Sequence, residues 1–127
     1  MKKLLLTLLA SLLVTGSAWA EWEKAAATDS ADFYIDPATI RVDGNLRRIW
    51  EVIDYTKKVK DGHLSTRMRV EYDCKQERFR VMSISQHSGA MASGNNIYSY
   101  TWDPPRKWDD IPPNSYYEIV LKIVCAK

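Results

Sequence analysis

The chain has 127 residues, 46% of them hydrophobic and 27% charged, which is the make-up of a globular protein and excludes a disordered or fibrous one. Its formal charge of +2 comes from Lys2 and Lys3. From Glu21 onward 16 basic side chains face 16 acidic ones, and this neutrality excludes nucleic acid as a partner class.

The first element is an export signal. Met1-Lys2-Lys3 is positive, Leu4 to Val14 is apolar apart from Thr7 and Ser11, and Ala18-Trp19-Ala20 has the small-x-small form of a cleavage site before Glu21. We expect residues 1–20 to be removed and residues 21–127 to fold as a single domain. The apolar run falls well short of the roughly 20 residues of a membrane-spanning helix, so no transmembrane segment is expected. A lipid anchor needs a cysteine at the mature N-terminus, where this chain has Glu21.

Short alternating runs separated by turn residues then predict antiparallel strands. The first covers Trp22 to Ala27 and ends at Thr28-Asp29-Ser30. A short second one, Phe33-Tyr34-Ile35, stops at Asp36-Pro37. Asp43-Gly44 is expected to turn Ile40-Arg41-Val42 into a long strand from Leu46 to Tyr55. Lys57 to Gly62 reads as a polar loop. In Arg67 to Asp73, Met68, Val70 and Tyr72 alternate with Arg67, Arg69, Glu71 and Asp73, which predicts one core face and one wet face. Lys75-Gln76 turns this strand into Arg78 to Ser85, whose Arg78 and Arg80 join the outer face.

Ser88 to Asn96 is small and glycine-containing and reads as an exposed loop, followed by a strand from Ile97 to Trp102 and an irregular, proline-rich connection from Asp103 to Asn114. Ser115-Tyr116-Tyr117-Glu118 has the form of a capping box, and Glu118 with Lys122 is an i, i+4 pair in the favourable order. These residues predict a final helix with Tyr116, Ile119, Val120, Ile123 and Val124 on its apolar face. On an ideal helix Cys125 falls outside that face.

Cys74 and Cys125 are the only cysteines, and an exported chain folds in an oxidising compartment, so they should pair. A redox function would call for closely spaced cysteines, and a zinc site for more Cys and His ligands than this chain has.

Catalytic motifs are absent: there is no G-x-S-x-G elbow, H-E-x-x-H, phosphate loop or dinucleotide fingerprint. His63 and His87 each stand alone in a predicted loop. No enzyme activity, cofactor or metal is expected. Aromatic residues with arginine carry most of the energy at protein interfaces, which makes Tyr98, Tyr100 and Trp102, with Arg78 and Arg80, the candidate partner-binding residues. Trp22 and Trp50 read as core.

Trp22, Tyr34-Ile35-Asp36-Pro37, Asp43-Gly44-Asn45, Trp50, Asp54-Tyr55, Glu71-Tyr72-Asp73-Cys74, Arg78-Phe79-Arg80, Ser88-Gly89, Ile111-Pro112-Pro113 and Cys125 together resemble the surface-adhesin protein E family of Gram-negative bacteria. The resemblance implies an α+β fold: an antiparallel sheet of about six strands with one C-terminal helix on its concave face, tethered by the disulfide. It also implies a homodimer and a non-enzymatic adhesin that binds a protein or extracellular-matrix partner, in the periplasm or peripherally attached to the outer membrane or cell surface.

Two other readings come from the same residues. Ser93-Gly94-Asn95-Asn96-Ile97-Tyr98 is one residue longer than the S-G-x-x-Y motif of periplasmic lysozyme inhibitors, and an envelope housekeeping or scaffold protein with no host role has the same general composition.

Overall fold

The computed structural model describes residues 21–127; the expected signal peptide lies outside the described residues. Six strands, β1 (Glu23–Ala27), β2 (Ala31–Asp43), β3 (Leu46–Tyr55), β4 (Ser65–Asp73), β5 (Arg78–His87) and β6 (Asn96–Thr101), lie side by side in chain order, each antiparallel to the next. A two-residue strand, β7 (Asp109–Asp110), pairs with β5 at Arg78 and Phe79. One helix, α1 (Tyr116–Cys125), closes the chain.

Consecutive pairing follows from short turns. Thr28 Oγ1 accepts the N–H groups of Ser30 and Ala31, making the β1–β2 turn. Asp43 pairs with Leu46, so the β2–β3 turn is centred on Gly44-Asn45 rather than on Asp43-Gly44. Gly44 takes the positive φ of 55° there, a conformation glycine adopts without steric cost.

Pro37 does not stop the second strand. β2 runs on to Asp43 because the ladder is interrupted between Asp36 and Arg41, where a residue without an N–H is tolerated. Thr39 repairs the gap: its hydroxyl donates to the Asp36 carbonyl at 2.7 Å and accepts the Trp50 N–H at 3.1 Å.

The core lies between the sheet and α1. Ile35, Ile49, Met68, Val70, Tyr72, Phe79 and Val81 meet Val120, Leu121 and Val124, each fully buried apolar side chain contributing about 1.5–3 kcal/mol. Leu121 is buried while Ile119 is 41% exposed, so the helix is turned relative to the face expected from its sequence. The cause is at its ends. Tyr117 stacks on Phe79 with ring centroids 3.8 Å apart and Tyr116 meets Phe33 at 4.6 Å, while the Cys74–Cys125 disulfide fixes the other end and brings Cys125 against the core.

The cap differs slightly from the expected box. Ser115 Oγ accepts the Glu118 N–H at 3.3 Å, but the Glu118 carboxylate reaches back to the Asn114 N–H at 2.8 Å, one residue before the cap. Glu118 also takes the Lys122 ammonium at 3.1 Å.

Candidate functional site

The two faces of the sheet have different chemistry. On the helix side Glu51 is completely buried and accepts the hydroxyls of Tyr72 from β4 at 2.7 Å and Tyr116 from α1 at 2.5 Å. Burial pushes this carboxyl up to about 7, against the lowering effect of the two phenols. Burial, together with the Glu51 charge, holds both phenols well above their ordinary value.

On the opposite face the arginines are partly exposed, but the expectation of a wet position is corrected for Glu71 and Asp73: both are buried. Glu71 lies in register between Arg48 of β3 and Arg80 of β5 and bonds both, Arg48 Nε at 2.6 Å and Arg80 Nη2 at 2.7 Å. Arg78 bonds Asp73 at 3.0 Å. Burial works to raise the Asp73 carboxyl, yet the Gln76 and Lys75 N–H groups and Arg78 hold it below its ordinary value. Alternation along a strand reports which side a residue takes; on this side Glu71 is closed over by arginines from both neighbouring strands, and Asp73 by Arg78 and the turn that follows it.

Trp50 is part of this layer and not of the helix-side core. The Arg67 guanidinium lies 4.1 Å from its ring centroid. Trp108 sits over Arg80 at 4.1 Å and Arg78 at 4.7 Å, carried there by the connection that ends in β7.

The five residues singled out from the sequence do not form one surface. Arg78 and Arg80 lie on the opposite face beneath Trp108, with their charge spent on Asp73 and Glu71. Tyr98 and Tyr100 pair with Gln86 and Ile84 of β5, which puts them on the helix side of the sheet, and both are about half exposed. Trp102 packs against the core, edge-on to Tyr100 at 5.0 Å and under Arg106 at 5.1 Å. Sequence reasoning missed Glu51 and took Trp50 for core; it placed Arg67 and Arg69 on the outer face with Arg78 and Arg80 without separating one pair from the other. The i, i+2 spacing of the two arginines was visible, but which of them would find a carboxylate depends on strand register.

All six residues of β6 are exposed, and Ile97, Tyr98 and Tyr100 are 47–49% exposed. No residue in this strand is charged or proline, and among the described residues only β5 pairs with it. The other sheet edge, β1, carries Glu23 and Lys24 and a register irregularity at Ala25, devices that discourage pairing.

The loop before β6 is pinned, not free. Ser65 Oγ donates to the Gly89 carbonyl at 2.7 Å and accepts the Ala92 N–H at 2.8 Å, and Asp54 takes the Met91 N–H at 3.0 Å. Ser93 Oγ donates to the Ala90 carbonyl within the loop. Gly94, at φ 75°, is packed so closely that a Cβ there would meet Ser88 Oγ at 2.5 Å. His63 is buried edge-on to Tyr55. His87 bonds Ser85 at 2.8 Å, and burial with the neighbouring Arg67 charge pushes it below its ordinary value.

The crystal form II structure of Haemophilus influenzae protein E superposes with a TM-score of 0.59 at 14% identity, covering 80% of this chain and 91% of that one. Protein E from non-typeable Haemophilus influenzae superposes at 0.58 with 13% identity, over 87% of this chain and 79% of that one. At such identities the likeness establishes the fold: six strands plus one, a single C-terminal helix and a disulfide holding it. No curated protein matches the chain in sequence. The sequence profile of surface-adhesin protein E, however, matches residues 19–126, nearly the whole chain, and the chain therefore belongs to the surface-adhesin protein E family.

Proposed function

We propose that this protein is an exported, non-enzymatic adhesin that binds a host protein through the free edge of its sheet. The observation that carries the reading is β6, an uncharged outer strand with three half-exposed large apolar side chains. Solvent-facing edges of this kind are usually blunted, as β1 is. An unblunted one suits an extended segment of a partner, whose main chain would continue the ladder while Tyr98 and Tyr100 grip its side chains.

Trp102 N–H bonds the Met82 carbonyl of β5 at 3.1 Å. By alternation Tyr100 and Tyr98 turn their peptide groups the same way, and those of Ser99 and Thr101 point outward, available to a partner strand. The family match supports an adhesin role, and we extend it to presentation at the cell surface, peripherally attached to the outer membrane. None of the described helices is long and apolar enough to cross a membrane.

Protease treatment of intact cells tests this placement. Cleavage of the disulfide-linked protein in the outer-membrane fraction is expected. Full protection in the soluble periplasm would overturn surface adhesion and move the search for a partner inside the envelope. A second copy pairing along β6 would compete with the partner and register as a dimer in solution.

A further inference from the structure

The sheet face opposite α1 holds six arginines, Arg41, Arg48, Arg67, Arg69, Arg78 and Arg80, and they are not equivalent. Arg48 and Arg80 share Glu71, and Arg78 has Asp73. Arg67 and Arg69 form no ion pair with any described residue. The carboxylates nearest them along the register are engaged elsewhere, Asp36 with the Ala38 N–H and Asp54 with the Met91 N–H. Arg67 also has its Nε buried without a hydrogen-bond partner, an arrangement that costs stability.

One ring lies beside both arginines and is close enough to stack on Arg67. The Arg67 guanidinium lies 4.1 Å and that of Arg69 6.0 Å from the centroid of Trp50. Stacking of this kind orients the flat fork and leaves its edge free for a planar or tetrahedral acid group. As residues i and i+2 on one strand, the two are about 7 Å apart.

The register sets hydroxyls beside them. Arg69 pairs with Ser83, which pairs with Thr101; Arg67 pairs with Ser85, which pairs with Ser99. Two parallel rows therefore run from guanidinium to hydroxyl to hydroxyl, across three strands, on one face. None of the large exposed apolar side chains, Val42, Ile97, Tyr98, Tyr100 and Ile119, belongs to these rows.

We propose that Arg67 and Arg69, together with the hydroxyls of Ser83 and Ser85, form a binding site for an acidic polysaccharide, a linear glycan bearing sulfate or carboxylate groups. The two guanidinium groups take successive acid groups and the serine rows take sugar hydroxyls. A bilayer surface is disfavoured because the rows carry no apolar side chain to enter it. A nucleic acid is disfavoured by the neutral mature chain, which gives no long-range attraction to a phosphate backbone. The low titration of His87, due to burial and to the Arg67 charge, agrees with a positive field at this place. The site lies apart from the proposed adhesive surface: Tyr98 and Tyr100 project from the other side of the sheet.

The test is titration of the full mature protein with a heparin oligosaccharide at about 0.15 M salt, where weak surface attraction is screened. The comparison variants are Arg67→Gln with Arg69→Gln, and Ser85→Asp, which leaves both arginines in place but offers them a carboxylate. The control is Lys57→Gln, Lys58→Gln and Lys60→Gln in the β3–β4 loop. We expect saturable binding that weakens about tenfold or more in each site variant and is unchanged in the lysine control, with no binding to phosphatidylglycerol vesicles. Absence of heparin binding, equal loss in the lysine control, retention in both site variants, or vesicle binding as strong as heparin binding would each overturn the proposal.

Discussion

Tyr116 on the helix and Glu51 on the sheet, 65 positions apart in the chain, are joined by a 2.5 Å hydrogen bond in which the phenol donates to the carboxylate. With Tyr72 donating to the other oxygen, one buried acid ties α1 to β3 and β4.

This acid makes stability depend on pH. Glu51 titrates near 4.5 when exposed and near 7 in the fold, so the folded state holds a proton that the unfolded state has released between those values. The associated stabilisation is complete below about pH 4.5 and is lost as pH rises through 7, on the order of 3 kcal/mol if the whole shift is realised. Urea denaturation should show the wild type losing stability between about pH 5 and pH 8, and Glu51→Gln should flatten that change. An unaltered slope in the variant would remove Glu51 as its source.

Glu71 is expected to matter more than any single arginine it binds. Glu71→Ala leaves Arg48 and Arg80 facing each other across β4 without their shared partner. A loss of about 2–3 kcal/mol is expected, discounted from the cost of a fully buried pair because both arginines reach solvent. Arg48→Ala, with Arg80 still in place, should cost less. Equilibrium denaturation of the two variants checks the order.

The Cys74–Cys125 bridge closes a span of 51 positions, worth about 4 kcal/mol in the chain-entropy account. Reduction, or Cys125→Ser, should lower the denaturation midpoint accordingly. Amide exchange at Val120, Leu121 and Val124 should accelerate before that of β3 and β4, since the helix loses its tether while the ladder does not. Uniform acceleration would show the sheet and helix to be one cooperative unit.

Ser115→Ala removes the side-chain acceptor for the Glu118 N–H and should cost about 1 kcal/mol. Thermal denaturation measures it, and Ser115→Asp should recover most of the loss.

Much of the fold was legible in the sequence because period-2 alternation, turn residues and a cap are local signals. The strand from Leu46 to Tyr55, the strand expected over Ile97 to Trp102 and found over Asn96 to Thr101, the helix and the cysteine pair were readable for that reason. What could not be read depends on neighbours. Pro37 stops a strand by its local chemistry, yet here Thr39 supplies the missing hydrogen bond to Trp50. Glu71 and Asp73 alternate with core residues and look wet, but Arg48 and Arg80 close over the first and Arg78 over the second. Trp50 looks like core and instead supports Arg67. The candidate contact residues were scattered over two faces because sequence shows an arginine or a tyrosine without showing which side of the sheet its strand presents.

The central claim is that β6 is the adhesive surface. The most direct measurement is a binding isotherm of the mature protein and of Tyr98→Ser with Tyr100→Ser on an immobilised extracellular-matrix protein coat, treated beforehand with heparin lyase to remove acidic glycans. The account expects saturable binding by the wild type and at least about a tenfold loss in the double variant, with thermal stability unchanged because both side chains are half exposed. Equal binding by the two proteins would contradict it.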